Sequence, residues 1–219
     1  MERLSDVEAR ILGSLVEKSL ATPDQYPLSV KALTAACNQK TSRDPLMSLE
    51  EEVVGKSLFP LIQRGLLEQR FDVGSRVPKF LHHIEGLVGH DPKVIGTVCV
   101  LLLRGPQTPG EVKGRTERTC GFASTAEAEA LLQDLCLRPE PFVDRLPRQP
   151  GHKEVRYRQL FSGEFPAVAG PVAAGAQASI APKAAPAQPD RVGLLEKRVS
   201  SLEARLKALE ERATSPTTP

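Results

Sequence analysis

No stretch of this 219-residue sequence reaches the roughly 18 consecutive apolar residues that a membrane helix needs. The richest run, Val94 to Leu103, is stopped by Arg104 and Gly105. The N-terminus, Met1-Glu2-Arg3-Leu4-Ser5-Asp6, lacks the basic start and apolar stretch of a secretory signal, so a cytoplasmic location is expected. Four cysteines, Cys37, Cys99, Cys120 and Cys136, lie far apart without a C-x-x-C pair, which gives neither a disulfide framework nor a zinc ribbon. They read as core thiols. A dominant charge sign is also missing: 29 basic against 27 acidic residues leave a formal +2, which excludes a globally basic nucleic-acid coat and a strongly acidic disordered chain. Any binding field must be local. Tryptophan is absent and aromatic residues make up only 4 %; the length suits one or two small domains plus extensions.

What is present is a pattern told twice. Ser5-Asp-Val-Glu8 is a capping box followed by Val7, Ile11, Leu12, Leu15 and Val16 at helical spacing, which predicts a first helix to about Ser19. Pro23 and Pro27 break it, and Tyr26 between them reads as an anchor for the connection. Ser29 caps a short second helix to about Cys37, and Ser48-Leu-Glu-Glu51 opens a third with Val54, Leu58, Leu61 and Ile62 inward, weakened or kinked at Pro60. Leu66 to Phe71 and Val77 to His83 read as two strands joined around Gly74-Ser75. The second pass starts at the cap Asp91-Pro92, continues with boxes at Thr108-Pro-Gly-Glu111 and Ser124-Thr-Ala-Glu127, and ends in a hairpin from Phe142–Leu146 to Glu154–Phe161 around Pro150-Gly151. Ser5 to Asp91 and Thr22 to Thr108 are both 86 residues, whereas Ser48 to Ser124 is 76, so the first copy carries about ten extra residues between Cys37 and Ser48.

Three helices with a two-stranded hairpin is the winged-helix pattern. The expected class is therefore mainly α with small β-hairpins (α+β), as tandem winged-helix domains over 1–86 and 87–164. Residues 165–189, with ten Ala and five Pro among 25 residues, read as a disordered linker. A C-terminal coiled-coil helix is expected over 190–213, with a disordered tail over 214–219.

The stretches Leu4-Ser-Asp-Val-Glu-Ala-Arg-Ile-Leu-Gly-Ser-Leu-Val-Glu-Lys18, Thr22-Pro-Asp-Gln-Tyr-Pro-Leu-Ser-Val30 and Ala36-Cys-Asn-Gln-Lys-Thr-Ser-Arg-Asp-Pro45 resemble the YceH-like family of bacterial proteins. So do Leu101-Leu-Leu-Arg-Gly-Pro-Gln-Thr-Pro-Gly-Glu111 and Arg156-Tyr-Arg-Gln-Leu-Phe-Ser-Gly-Glu164. The resemblance implies a pair of winged-helix domains in a bacterial cytosolic protein and supplies no catalytic residue.

In the tail, Val192, Leu195, Val199, Leu202, Leu206 and Leu209 repeat at spacings of 3 and 4, the a and d positions of a dimerising helix. Arg198 and Arg205 at g face Glu203 and Glu210 at e of a partner only when the helices run parallel, so a parallel homodimer is expected. The competing reading is a solvated amphipathic helix packed on its own domains.

Duplex DNA is the default partner of such domains, yet Glu50, Glu51 and Glu52, and Glu127, Glu129 and Asp134, burden the third helices that would enter a major groove. Those carboxylates also suit helix N-termini. Positive charge gathers on the hairpins: Arg145, Arg148, His152, Lys153, Arg156 and Arg158 on the second, Arg70, Arg76 and Lys79 on the first, with Lys40 and Arg43 in the inserted segment. These are the candidate nucleic-acid contacts; the alternative for any charged hairpin is a solvated, protected sheet edge. His82 and His83 are adjacent and point to opposite faces of a strand, and no phosphate loop or Ser/His/Asp set is present. No catalysis, metal or cofactor is expected. The leading expectation is a non-enzymatic DNA-binding or transcription-regulator-like protein, and the alternative is a protein-interaction adaptor docking a partner on the acidic third helices.

Overall fold

The computed structural model describes residues 3–148, 151 and 154–163. Helix α1 (Asp6–Ala21) starts where the sequence places its capping box: Ser5 Oγ accepts the Glu8 N–H at 3.2 Å, and the Glu8 carboxylate accepts the Ser5 N–H at 2.7 Å. Prolines then force a short 3-10 turn (Pro23–Gln25) and a two-residue strand β1 (Leu28–Ser29). Helix α2 (Val30–Cys37) is capped by Ser29, and α3 (Glu51–Gln63) follows the inserted segment. Strands β2 (Leu67–Phe71) and β3 (Pro78–His82) form an antiparallel hairpin, and β1 pairs on the far side of β3 to give the order β1-β3-β2. A short helix α4 (Glu85–Val88) leads to the second run: α5 (Pro92–Arg104), α6 (Pro109–Thr116), α7 (Thr125–Leu137), β4 (Val143–Arg145) and β5 (Tyr157–Gln159). The class is mixed α+β with small antiparallel sheets, and the order helix, helix, helix, strand, strand recurs.

Several local expectations are corrected. Ser48 caps nothing; α3 begins at Glu51 with Glu50 at the cap position and no side-chain cap. The cause is Asn38, whose side chain donates to the Leu49 carbonyl and accepts the Leu49 N–H, both at 2.8 Å, so those groups are spent before the helix starts. Pro60 lies within α3, which continues to Gln63. At α7, Ser124 accepts the Glu127 N–H, but the Glu127 carboxylate turns to the Ala123 N–H and to Lys93, leaving the box open. The second hairpin keeps only three residues in each strand. Strand β1 and helix α4 were not foreseen, because two and four residues are too short for periodicity to register.

The buried aliphatic set runs from Leu4 through α1, α3 and α5 to Phe161 without interruption. The described residues belong to one compact unit spanning residues 1–168. Helices α1 and α5 meet at Gly13, where an added Cβ would lie 3.0 Å from Leu103 and 3.1 Å from Leu102. Cys99 Sγ also reaches the Gly13 carbonyl at 3.5 Å. A methyl at position 13 would require Leu102 and Leu103 to give by a few tenths of an ångström. At the unit's edge the Leu4 N–H donates to the Phe161 carbonyl at 2.7 Å, and Leu4 bridges Ser162 in parallel. No helix among the described residues is long and apolar enough to cross a membrane.

Candidate nucleic-acid interface

The hairpin cations fall into two groups. Arg70 is held by Glu68 at 3.1 Å, and Lys79 by Asp72 at 2.6 Å. Arg156 reaches the Glu111 carboxylate at 2.9 Å and the Pro106 carbonyl at 2.8 Å, while Arg158 bonds Asp144 at 2.8 Å. Each of these guanidinium or ammonium groups already has a carboxylate partner. Arg76 and Arg145 are exposed and form no ion pair with any described residue; Lys40 is exposed on the inserted segment, and Arg148 is exposed near the tip of the second hairpin. His152 and Lys153 lie outside the described residues.

Arg43 is the clearest correction. The sequence places it among the phosphate contacts, but its side chain is fully buried, bidentate to Glu17 at 2.7 and 3.0 Å, and bonded to the Ala36 carbonyl at 2.8 and 3.0 Å. The inserted segment is thus folded inward around a guanidinium. It is also tied to α5: the Asp44 N–H donates to the Leu103 carbonyl at 2.9 Å, and Arg104 donates to Ser42 Oγ at 2.6 Å. Arg10 lies beside it, 1 % exposed, donating to the carbonyls of Cys37 and Pro45. Burial, and then the neighbouring Arg43, lower its pKa. Sequence reasoning missed Arg10 because nothing in its spacing separates a buried arginine from a solvated one.

The third helices are less acidic in effect than in composition. The Glu127 carboxylate is held by Lys93 and accepts the Ala123 N–H, which together depress its pKa. Glu52 pairs with Lys56 at 2.6 Å, but Glu50 and Glu51 make no ion pair among the described residues. On the same helix Phe59 is 65 % exposed and Val53 41 %. Helix α6 and the turn after it add cations not singled out from sequence: Lys113 and Arg115, shared with Glu117 and Glu111, and the exposed Arg118.

The remaining reactive groups are quiet. Tyr26 Oη accepts the His82 N–H at 2.6 Å, fixing the turn to β3 as an anchor would, and burial pushes its hydroxyl up to about 12. His82 Nε2 lies 2.8 Å from Ser19 Oγ, whereas His83 Nε2 lies 3.0 Å from Glu68. Burial raises the Cys37, Cys99, Cys120 and Cys136 thiols, the last to about 11, so none is an activated thiolate. No group of three or more His, Cys, Asp or Glu among the described residues is placed to hold a metal. The dimerisation positions Val192, Leu195, Val199, Leu202, Leu206 and Leu209 lie outside the described residues.

A family model described as a protein of unknown function, DUF480, matches residues 4–152. A UPF0502 protein of Geobacter sulfurreducens is 48 % identical over 161 residues, 74 % of this chain and 73 % of the relative. UPF0502 proteins of Aeromonas hydrophila and Geobacter metallireducens are 42 % and 44 % identical over 200 residues, each covering 90 % of this chain and 89 % and 88 % of their own. The YceH-like resemblance points the same way, and the chain belongs to this DUF480/UPF0502 family of bacterial proteins.

Proposed function

We propose that this chain is a non-enzymatic DNA-binding protein built from two winged-helix domains, 1–86 and 87–164, whose hairpins hold phosphates. The observation that carries this reading is the exposure of Arg76 and Arg145, one on each hairpin, without a carboxylate partner among the described residues. Arg70, Lys79, Arg156 and Arg158 are already paired with carboxylates of the protein, so the expected contact is small and backbone-directed. Dimerisation through residues 190–213 would double its valency across the linker. The experiment is fluorescence anisotropy on labelled mixed-sequence duplex at about 50 and 200 mM salt. Each phosphate contact adds about 0.9 to the salt slope, so a fourfold rise in salt weakens binding about 3.5-fold per contact. The pair Arg76→Ala and Arg145→Ala lowers that slope by about 1.8. No binding at the lower salt rejects the reading.

One observation favours a protein partner instead. Phe59 and Val53 stand exposed on α3, whose N-terminal end carries Glu50 and Glu51, a combination suited to an amphipathic basic helix. In that case Phe59→Ser abolishes capture of a basic amphipathic peptide and leaves DNA binding unchanged.

A further inference from the structure

Strand β2 is the outer strand of its sheet, because β3 lies between it and β1. One bond sets the phase of its ladder: the His83 N–H donates to the Leu66 carbonyl at 2.8 Å, in register with Leu67 opposite His82, Glu68 opposite Leu81 and Gln69 opposite Phe80. Antiparallel pairs alternate between bonded and non-bonded, so Glu68 and Arg70 spend their backbone groups on β3. Gln69 and Phe71 direct theirs to the open side; Leu67 faces the same way but is buried, so the open edge begins beyond it. The His82 N–H, which the same alternation turns away from β2, goes to Tyr26 Oη, in agreement with this phase. No described residue bonds the outward groups of Gln69 and Phe71, and both residues are exposed, Phe71 at 55 %.

The segment Leu67-Glu-Gln-Arg-Phe71 is complementary to itself about Gln69. The geometry points to a homodimer in which β2 of one copy pairs antiparallel with β2 of a second copy across a two-fold axis, joining two three-stranded sheets into one. Gln69 of each copy exchanges both backbone bonds with Gln69 of the other at the centre of the contact. Glu68 of each copy faces Arg70 of the other on one face. On the opposite face Phe71, 55 % exposed, comes against the partner's sheet and loses part of its exposure to water. The in-chain Glu68–Arg70 contact, at 3.1 Å between exposed side chains, is replaced by its equivalent across the axis.

Neighbouring registers are disfavoured by charge. A slip of one bonded position toward the strand start sets Glu68 against Glu68. A slip the other way sets Arg70 against Arg70 and Glu68 against Asp72. This edge therefore selects its own copy in one alignment, and the pairing is separate from any contact made by the tail.

The test uses the full chain carrying Gln69→Cys. In a bonded antiparallel pair the two Cα atoms lie about 5.5 Å apart, within disulfide range. Mild oxidation yields a reducible dimer on a non-reducing gel, well above the background set by the parent chain and by Val73→Cys at the hairpin turn. Adding Glu68→Arg, or separately Arg70→Glu, slows cross-linking about tenfold by setting like charges opposite. An equal mixture of those two variants restores it, which also shows both to be folded. Should Gln69→Cys disturb the strand, a mixture of Glu68→Cys and Arg70→Cys chains places a cross-strand pair about 4.5 Å apart and serves the same purpose. Cross-linking no faster than Val73→Cys, or indifferent to charge reversal, overturns the proposal; an edge reserved for an extended segment of another protein gives that result.

Discussion

Replacing Arg43 by alanine tests whether the inserted segment is a folded clamp or a basic loop. Six hydrogen bonds end on this guanidinium: two to Glu17, two to the Ala36 carbonyl, one to the Ser42 carbonyl and one to Gln39. Removal leaves the Glu17 carboxylate, only 19 % exposed, without its main cation. Breaking a buried pair from one side costs about 3–5 kcal/mol, a large share of the roughly 5–15 kcal/mol that holds a domain of this size. A solvated arginine would cost less than about 0.5 kcal/mol. At a urea m-value of about 2 kcal/mol/M, the larger figure moves the midpoint down by about 1.5–2.5 M. Far-UV circular dichroism in urea measures it. Replacing both partners, as Glu17→Leu with Arg43→Met, recovers most of the loss, since no unpaired charge remains. A midpoint shift under about 0.25 M for Arg43→Ala, the size expected of a solvated side chain, refutes the reasoning.

Tyr26→Phe leaves the His82 N–H without its acceptor and lowers stability by about 1–3 kcal/mol in the same urea assay; an unchanged midpoint removes Tyr26 from the anchoring role. Burial is the main cause of the lowered His82 pKa, opposed by Glu85 and reinforced by His83. The unfolded chain takes up that proton near pH 6.5 and the folded chain only at lower pH. Stability is therefore complete above about pH 6.5 and falls as pH drops through that value toward the folded pKa. His82→Gln flattens the dependence between pH 7.5 and 5.5, and parallel pH profiles for both chains count against it. Deleting residues 190–219 weakens self-association in sedimentation equilibrium if the heptad pairs in parallel; identical mass-concentration curves place all association in the remaining chain.

Long elements were legible because capping chemistry and helical spacing agree there: Ser5 with Glu8, Thr108 with Glu111, and Asp91 before Pro92 sit where the sequence places them. Ser48 misled because Asn38, eleven residues away, takes the backbone groups of Leu49. That competition is tertiary and leaves no local trace. The repeat offset located the inserted segment but not its direction; whether Arg43 faces solvent or Glu17 depends on α1 lying beneath it. The hairpin cations were all visible, yet Arg156 and Arg158 are neutralised by Glu111 and Asp144, which lie 45 and 14 residues away. Sequence charge shows where cations are, and only the fold shows which are spent.

The bond between Leu4 and Phe161 bears on how the chain is made. Of the described elements helix α1 leaves the ribosome before the others, but the partner of its amino-terminal strap is made after all of them. At about 5–20 residues per second, the interval between the two is roughly 8–30 s. Throughout that time Ile11, Leu12, Leu15 and Val16 have only part of their final cover, since α5 emerges midway and Phe161 at the end. Pairings so distant in sequence slow folding, which makes the nascent first half, and not the finished protein, the state in which a chaperone would encounter this chain.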